Sequence, residues 1–247
     1  MTPVVVLPTY QEADNIETVL RRLRAAVPDV HVLVVDDGSP DGTAELAEKV
    51  AEDVGGIDVL RRTVKDGLGS AYRTGFRWGL ERGYDVLVEM DADLSHEPEA
   101  LPSLLAVIDA GAADLVIGSR YVPGGSTPQW PRIRRFLSVW ANRYTAVVLG
   151  LAINDATAGF RAYRADVLRQ IDFDHVRADG YGFQVEMVYR IVQLGGRIVE
   201  VPITFVDRVE GTSKMSGRIV VEALGLVTLW GLRDVLTGRR RRRAARA

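Results

Sequence analysis

The chain has 247 residues, of which 47% are hydrophobic and 26% are charged, so it can bury a substantial core as one domain with at most a small appendage. It contains no cysteine, which excludes disulfides, thiolate metal sites and cysteine nucleophiles. Its net charge is −2, but residues 239–247 hold six arginines and no acid, and the rest of the chain has 25 basic against 33 acidic residues. A body of net charge −8 is not typical of a nucleic-acid-binding domain.

Apolar runs of strand length alternate with helical patterns through the first half of the chain. The predicted strands are Val4–Leu7, His31–Val35, Ile57–Leu60, Val86–Met90 and Leu115–Gly118. The predicted helices run from Asp14 or Asn15 to Ala26, from Thr43 to Asp53, from Gly67 to Arg82 and from Glu97 to Ala110. This alternation predicts right-handed βαβ units, and therefore an α/β fold whose sheet is mostly parallel and flanked by helices.

Carboxylates directly follow two of these strands. Asp36 and Asp37 end the second strand, and Asp91 and Asp93 end the fourth. Ligands of α/β sheets bind outside the carboxyl ends of the strands, and paired carboxylates there suit Mg²⁺ or Mn²⁺ that carries a diphosphate. The alternative interpretation is that Asp91 caps a turn and Asp93 is a solvated loop acid.

The alternating pattern changes after Tyr121. Residues 130–151 form a long segment with arginines at its start and Trp and Phe among apolar residues, which is typical of an interfacial helix or of a helix that packs on the core. We further predict a helix over Phe183–Leu194, a strand over Arg197–Phe205 and an amphipathic helix over Ile219–Leu236 that docks on the body or lies on a membrane. No segment is a convincing transmembrane span.

The chain therefore divides into a globular domain over residues 1–217, a carboxyl-terminal amphipathic helix over 218–238 and a basic disordered tail over 239–247. The tail is either a solvated end or a segment attracted to anionic lipid headgroups, and we expect no nucleic-acid partner. The amino terminus lacks the basic and apolar regions of a secretory signal. We therefore expect a cytoplasmic protein that associates peripherally with the cytoplasmic face of a membrane.

Six polar motifs occur in order along the chain. They are Pro8-Thr9-Tyr10-Gln11-Glu12, Val35-Asp36-Asp37-Gly38-Ser39-Pro40-Asp41-Gly42-Thr43, Gly67-Leu68-Gly69-Ser70-Ala71-Tyr72, Met90-Asp91-Ala92-Asp93-Leu94-Ser95-His96, Gly118-Ser119-Arg120-Tyr121 and Gly159-Phe160-Arg161. Together they resemble the motifs of glycosyltransferase family two, and within it those of the polyprenol-phosphate (dolichol-phosphate) mannose synthases. The resemblance runs from about Val4 to Met215. It implies a GT-A (Rossmann-like) fold, a nucleotide-sugar donor, a divalent metal and inversion at the sugar carbon.

The resemblance also implies a nucleoside pocket at the first two strand ends. Asp37 would accept hydrogen bonds from the base or the ribose, and Pro8, Tyr10 and Glu12 would complete the pocket. Tyr10 can equally be a packing residue.

The motif after the fourth strand implies the metal site. Asp91, Ala92 and Asp93 would contact the nucleotide sugar, and the two carboxylates would hold Mg²⁺ or Mn²⁺. Ser95 stands where some relatives have a longer amide ligand, so either its hydroxyl or a water would complete the site. We interpret His96 as a solvated loop residue.

Positive charge is expected on the acceptor side. The resemblance implies that Arg120, Arg134 and Arg208 bind the acceptor phosphate, although Arg132 and Arg135 lie close to Arg134 in the sequence. Asp93, Arg120 and Arg208 are the expected catalytic residues. Lys214 is also expected to bind the acceptor phosphate, and it belongs to the segment Asp207–Met215, which is either a mobile loop that closes over phosphates or ordinary surface charge.

Two further segments would shape the sugar and acceptor pocket. They are Asp155–Arg161 and Gly180–Phe183, and Glu186 in the following helix is either part of this pocket or a polar core residue.

These features predict an inverting enzyme that moves mannose from GDP-mannose to a polyprenyl monophosphate. It would meet its lipid through residues 130–151 and the carboxyl terminus, or through a separate membrane-protein subunit. A polyprenyl-phosphate transferase that uses UDP-glucose or another sugar nucleotide is the alternative within the same fold. A non-catalytic nucleotide-binding module at a membrane is the alternative from another class.

Overall fold

The structure is a computed structural model that describes residues 1–176, 178–207 and 217–238, with only the backbone described for residues 217–222. Its strands are β1 (Pro3–Thr9), β2 (His31–Asp36), β3 (Ile57–Arg61), β4 (Val86–Glu89), β5 (Leu115–Ser119), β6 (Arg161–Arg164) and β7 (Ile198–Pro202). Its helices are α1 (Ala13–Ala26), α2 (Thr43–Val54), α3 (Leu68–Glu81), α4 (Leu101–Asp109), α5 (Arg132–Leu149), α6 (Ala165–Leu168), α7 (Tyr181–Gln193) and α8 (Gly217–Leu236).

The strands form one sheet in the order β3-β2-β1-β4-β6-β5-β7. All pairings are parallel except those of β6, which is antiparallel to both β4 and β5. The predicted α/β class with a mostly parallel sheet is confirmed. Strand β6 was missing from the sequence prediction because its four residues, Arg-Ala-Tyr-Arg, show no apolar run.

Helices cover both faces of the sheet, as the period-two alternation of strand residues requires. Val4 and Val6 of β1 face a cluster that includes residues of α3 and α7. Val5 and Leu7 face the opposite cluster, to which α1, α2 and α4 contribute. The continuous apolar strands therefore lie between two layers of helices, and only their ends reach solvent.

The chain after β7 returns toward the middle of the sheet. The strand ends at Pro202, three residues before the predicted end at Phe205. Thr204 then forms an isolated bridge with Ser126, and Phe205 forms one with His96. These bridges bring the chain beside the end of β4.

The predicted carboxyl-terminal helix is confirmed as α8, which packs on α5 and α7. The Tyr144 hydroxyl of α5 lies 2.7 Å from Thr228 Oγ1 of α8. The Tyr189 hydroxyl of α7 donates to Asp234 Oδ1 at 2.7 Å, and the Tyr189 ring stacks on Trp230. Within the described ranges, every helix is too short or too polar to cross a bilayer.

Helix α3 lies unusually close to β1. A Cβ atom placed on Gly75 would lie 2.3 Å from Val6 Cγ1. The missing side chain at Gly75 therefore sets the distance between the helix and the sheet.

We expect Gly75→Ala to lower the free energy of unfolding by about 1 to 3 kcal/mol, because the added methyl forces the helix away from a packed strand. Gly225→Ala is the matched control within α8, where a Cβ would meet no atom within 4 Å, and there alanine should be neutral or stabilise by up to about 1 kcal/mol. Urea unfolding measures both. Equal stability of the two variants would contradict the close packing.

Candidate active site

The carboxyl ends of β1, β2, β4 and β5 open into one cavity of about 750 Å³. The predicted site residues that line it are Pro8, Tyr10, Glu12, Asp37, Asp91, Ala92, Asp93, Ser95, Arg120 and Arg134. Arg208 and Lys214 lie outside the described residues, as does the rest of the segment from 208 to 215. The convergence expected from a parallel sheet is therefore observed, and the roles of these residues remain predictions.

The acidic motif forms a tight turn after β4. Asp93 Oδ1 accepts a hydrogen bond from the Ser95 N–H at 3.0 Å, and Leu94 between them has a left-handed backbone with φ of 60°. Ser95 Oγ is buried and has no hydrogen-bond partner among the described residues. The turn thus places an orphaned hydroxyl beside the carboxylates.

This donor set fits Mg²⁺ or Mn²⁺, which prefer hard oxygen ligands. Asp91 and Asp93 both line the cavity, and the described residues contain no group of three or more His, Cys, Asp or Glu side chains suited to a metal. A cation here would therefore take the carboxylates, with or without Ser95 Oγ, and complete its shell with phosphate oxygens and water.

His96 is buried at 1% exposure, so its interpretation as a solvated loop residue is wrong. Its ring packs against Phe160 and Phe205, with centroids 5.4 and 5.3 Å away. Burial lowers its pKa to about 4, against the opposing charge of Asp93, and Nδ1 accepts a hydrogen bond from the Asp91 N–H at 3.4 Å. A neutral His96 therefore supports the backbone of the acidic motif.

Arg120 and Asp155 form a buried bidentate ion pair. Nε and Nη2 of Arg120 donate to the two carboxylate oxygens at 2.7 and 2.6 Å, and the backbone N–H of Arg120 donates to Oδ2 at 3.0 Å. Burial alone would lower the pKa of Arg120 and raise that of Asp155, but the mutual attraction reverses both shifts. Both groups are therefore charged, and Arg120 is held rigidly in the cavity wall.

Arg134 is the member of its arginine cluster that lines the cavity; Arg132 and Arg135 do not. Its guanidinium lies 4.0 Å from the ring centroid of Trp130, and its Nη1 donates to Asp207 Oδ1 at 2.7 Å. Asp207, the last described residue before the gap at 208–216, also lines the cavity.

The cavity contains, beside Tyr10, a cation that the sequence prediction missed. The Lys65 ammonium lies 3.7 Å from the ring centroid of Tyr10, and both residues line the cavity. Asp37 is buried, which raises its pKa, while Arg62 Nη1 lies 3.2 Å from its Oδ1 and opposes that shift. Lys65 lies two residues before the Gly67 motif, and this proximity was its one sequence signal.

Asp179 is a second residue that the sequence prediction missed. Its Oδ1 accepts a hydrogen bond from the Gly69 N–H at 2.6 Å, and it lines the cavity. Gly67 has φ of +82°, and a Cβ there would lie 1.8 Å from Asp179 Oδ2. Gly67 and Gly69 therefore leave the space that this carboxylate occupies, although it lies 110 residues from Gly69 in the sequence.

A buried polar network connects segments that contribute residues to the cavity. Arg161 donates to the carbonyl oxygens of Ala156, Ala158 and Gln184, each at 2.7 Å, so it joins the loop before β6 to α7. Tyr163 donates to Glu89 Oε1 at 2.9 Å. Burial raises the pKa of Glu89 to about 7, although the charge of Arg161 and the Tyr163 bond act in the opposite direction.

Glu186 is a polar core residue, one of the two alternatives considered for it. Its carboxylate accepts hydrogen bonds from the Ala178 N–H at 3.1 Å and from Arg190 Nε at 2.8 Å. It therefore fastens the loop before α7 to the helix.

The family model described as glycosyl transferase family 2 matches residues 4–172 of the chain. The undecaprenyl-phosphate mannosyltransferase of Micrococcus luteus is 58% identical over 232 residues, which cover 94% of this chain and 95% of that protein. The polyprenol monophosphomannose synthase of Mycolicibacterium smegmatis is 53% identical, with 94% and 88% covered. The dolichol-phosphate mannosyltransferase of Pyrococcus furiosus is 38% identical, with 89% and 61% covered.

Solved structures support the predicted GT-A architecture. Glucosyl-3-phosphoglycerate synthase from Mycobacterium tuberculosis, in complex with Mn²⁺, UDP-glucose and phosphoglyceric acid, has a TM-score of 0.67 at 21% identity, covering 93% of this chain and 79% of that one. At this identity the likeness concerns the fold alone. The matched family model and the relatives at 58% and 53% identity show that the chain belongs to glycosyltransferase family 2.

Proposed function

We propose that this protein transfers mannose from GDP-mannose to a polyprenyl monophosphate at the cytoplasmic face of a membrane, with inversion at the anomeric carbon. One observation carries the proposal: Asp91 and Asp93 line the same cavity as Arg120 and Arg134. The acids suit a cation that accompanies a nucleoside diphosphate, and the arginines suit a second phosphate. The names of the relatives, which specify mannose and a polyprenyl phosphate, support the sugar and the acceptor.

The donor would lie along the ends of β1, β2 and β4. Its nucleoside would contact Tyr10 and Asp37, and Lys65 adds a positive charge beside them. When bound, Mg²⁺ or Mn²⁺ at Asp91 and Asp93 would neutralise the charge of the departing diphosphate.

The acceptor would need no protein base. The second pKa of a phosphate monoester is about 6, so near neutral pH its oxygen is already an anionic nucleophile. It would form a bond to the anomeric carbon while the bond from that carbon to the diphosphate oxygen breaks and its electron pair leaves with GDP. His96 is the one histidine among the described lining residues, and its Nδ1 is occupied by the Asp91 N–H.

Arg120 and Arg134 would hold the acceptor phosphate. The guanidinium groups of Arg120 and Arg134 lie 5.3 and 4.0 Å from the ring centroid of Trp130. Arg120 is fixed by Asp155 through Nε and Nη2, and Nη1 takes no part in that pair. Arg208 and Lys214 would add positive charge from the segment that follows Asp207.

Helices α5 and α8 would contact the membrane, because both expose large apolar side chains while polar groups lie among their buried residues. The buried positions of α5 include Asn142 and Thr145, and the body-facing side of α8 carries Asp234. Large apolar side chains are exposed instead: Ile133, Phe136, Leu137, Trp140 and Val147 on α5, and Leu229, Leu232, Val235 and Leu236 on α8. We name these residues the apolar face. Polar residues inside and apolar residues outside match an apolar surrounding rather than water.

The donor and the metal are tested by incubating the purified protein with polyprenyl phosphate and a panel of radiolabelled nucleotide sugars. We expect transfer from GDP-mannose that stops with chelator and returns with Mg²⁺ or Mn²⁺. Asp93→Ala should reduce it by at least about 100-fold, because the departing diphosphate loses its counter-charge. Asp109→Ala, an exposed position on α4, should retain full activity. Transfer from a UDP-sugar instead, or undiminished transfer in chelator, would contradict the proposal.

The ion pair that holds Arg120 is tested by Asp155→Asn, which leaves a buried guanidinium without its counter-charge. We expect the free energy of unfolding at pH 7 to fall by about 3 to 5 kcal/mol. Asp207→Asn is the control, because its partner Arg134 is partly exposed, and it should cost at most about 1 kcal/mol.

The same pair predicts a pH dependence. The folded-state pKa of Asp155 is below its ordinary value, so its stabilisation is present above the unfolded-state pKa of about 4 and is lost as the pH falls through the lower folded-state pKa. Urea unfolding between pH 7 and pH 3 should therefore show a shallower acid loss in Asp155→Asn than in the natural chain. Parallel pH profiles would refute this assignment.

The apolar face is tested by co-sedimentation with vesicles that contain anionic lipid. The double variant Trp140→Ser, Leu232→Ser should bind at least about tenfold less, since each large apolar side chain contributes about 1.5 to 3 kcal/mol when it leaves water. Leu194→Ser, an exposed leucine after α7, should bind like the natural chain. Raising the salt should also release the protein, because it screens headgroup attraction. Failure of the natural chain to sediment at low salt would contradict membrane contact.

A further inference from the structure

Gln184 is a buried amide without a hydrogen bond. It is 2% exposed and is the fourth residue of α7, where it lines the cavity. Neither Oε1 nor Nε2 has a hydrogen-bond partner among the described residues. Most buried polar side chains are paired, and an unpaired one costs about 1 to 3 kcal/mol. Such a cost is typical of a group whose partner is a ligand.

The surroundings of Gln184 place it at the end of the cavity where the donor's sugar would lie. Its carbonyl oxygen accepts from Arg161 Nη1, which ties this turn of α7 to the loop at 156–158. The next residue of that loop, Gly159, is so close to the metal motif that a Cβ on it would lie 3.4 Å from Asp91 Oδ2. Arg161 also pairs with Glu89 in the sheet, two residues before Asp91, so the residue that holds Gln184 lies beside the strand that leads to the acidic motif.

We propose that Gln184 binds hydroxyl groups of the donor's sugar and thereby contributes to the choice of sugar. This inference rests on the proposed function, because a sugar joined to a diphosphate at Asp91 and Asp93 must occupy the neighbouring space. A primary amide both donates and accepts, so it matches adjacent hydroxyl groups, which also do both. Oε2 of the buried Glu89 also lacks a hydrogen-bond partner among the described residues, and the attraction of this carboxylate would orient Nε2 toward the protein and leave Oε1 for the ligand.

Thermal stability distinguishes a ligand-binding role of Gln184 from a structural one. Glu186, two residues later, is bonded to Ala178 and Arg190 and is a structural polar group. Gln184 makes no such side-chain bond among the described residues, so Gln184→Leu removes an unpaired polar group of nearly the same size. The free protein should therefore melt at the same temperature as the natural chain or higher. A clear loss of thermal stability would overturn the inference.

Binding is measured by titration calorimetry with GDP and with GDP-mannose, each in the presence of Mn²⁺. Gln184→Leu should weaken GDP-mannose by about tenfold or more and change GDP by less than about twofold, because the lost bonds concern only the sugar. Gln193→Leu is the matched control, since it makes the same substitution at an exposed position of α7. Equal losses for both ligands, or no loss for either, would overturn the inference.

UDP and UDP-glucose are titrated in parallel, so that failure of the donor assignment is recognised separately. If the natural chain binds this pair instead of the guanosine pair, the proposed donor is wrong, and the comparison between Gln184→Leu and the natural chain is made on UDP-glucose and UDP. In that case Gln184→Leu should weaken binding of UDP-glucose and leave binding of UDP nearly unchanged. If the variant shows no sugar-specific loss with the nucleotides that the natural chain binds, the proposed role of Gln184 is contradicted.

Discussion

The active-site cavity depends on the ion pair between Arg120 and Asp155. Arg120 directly follows β5, whereas Asp155 lies in the loop between α5 and β6, and the pair joins these segments deep in the protein. Two charges are removed from water here, which is costly unless each is fully paired. The bidentate geometry and a third bond from the backbone meet this requirement. The guanidinium group of Arg120 is therefore held in one position.

Arg161 holds the same loop through hydrogen bonds to its backbone. Its three bonds to carbonyl oxygens leave it fully buried, so it organises the backbone and does not face a substrate. Strand β6, which it begins, separates β4 from β5 by running antiparallel between them. The strand that leads to the acidic motif is therefore not adjacent in the sheet to the strand that leads to Arg120. Arg120 pairs instead with Asp155.

The parallel part of the sheet was predictable because long apolar runs alternate with amphipathic helices. The acids and arginines of the cavity were predictable because they follow those runs and match motifs of a family. Strand β6 was not, since its pairing depends on β4 and β5 rather than on its own pattern. Lys65 and Asp179 were missed for a similar reason: each acts through a partner in another segment.

His96 shows the limit of reading a single residue. A histidine beside two aspartates in a turn looks solvated, because its neighbours in the sequence are polar. Its burial comes from Phe160 and Phe205, of which the second reaches it only through the bridge after β7. Burial of this kind depends on contacts between distant parts of the chain, and no local pattern records it.

The cavity and the apolar face form one continuous arrangement. The residues that line the cavity include the charged Asp37 and Lys65 and also the apolar Ala223 and Leu226 of α8. In the proposed function, a water-soluble nucleotide sugar would contact the charged lining residues, while a lipid phosphate would approach from the helix that carries part of the apolar face. Because α8 is held to α7 by Asp234, a change in its docking would alter the cavity wall itself. The proposed membrane contact and acceptor binding would thus be linked through the same helix.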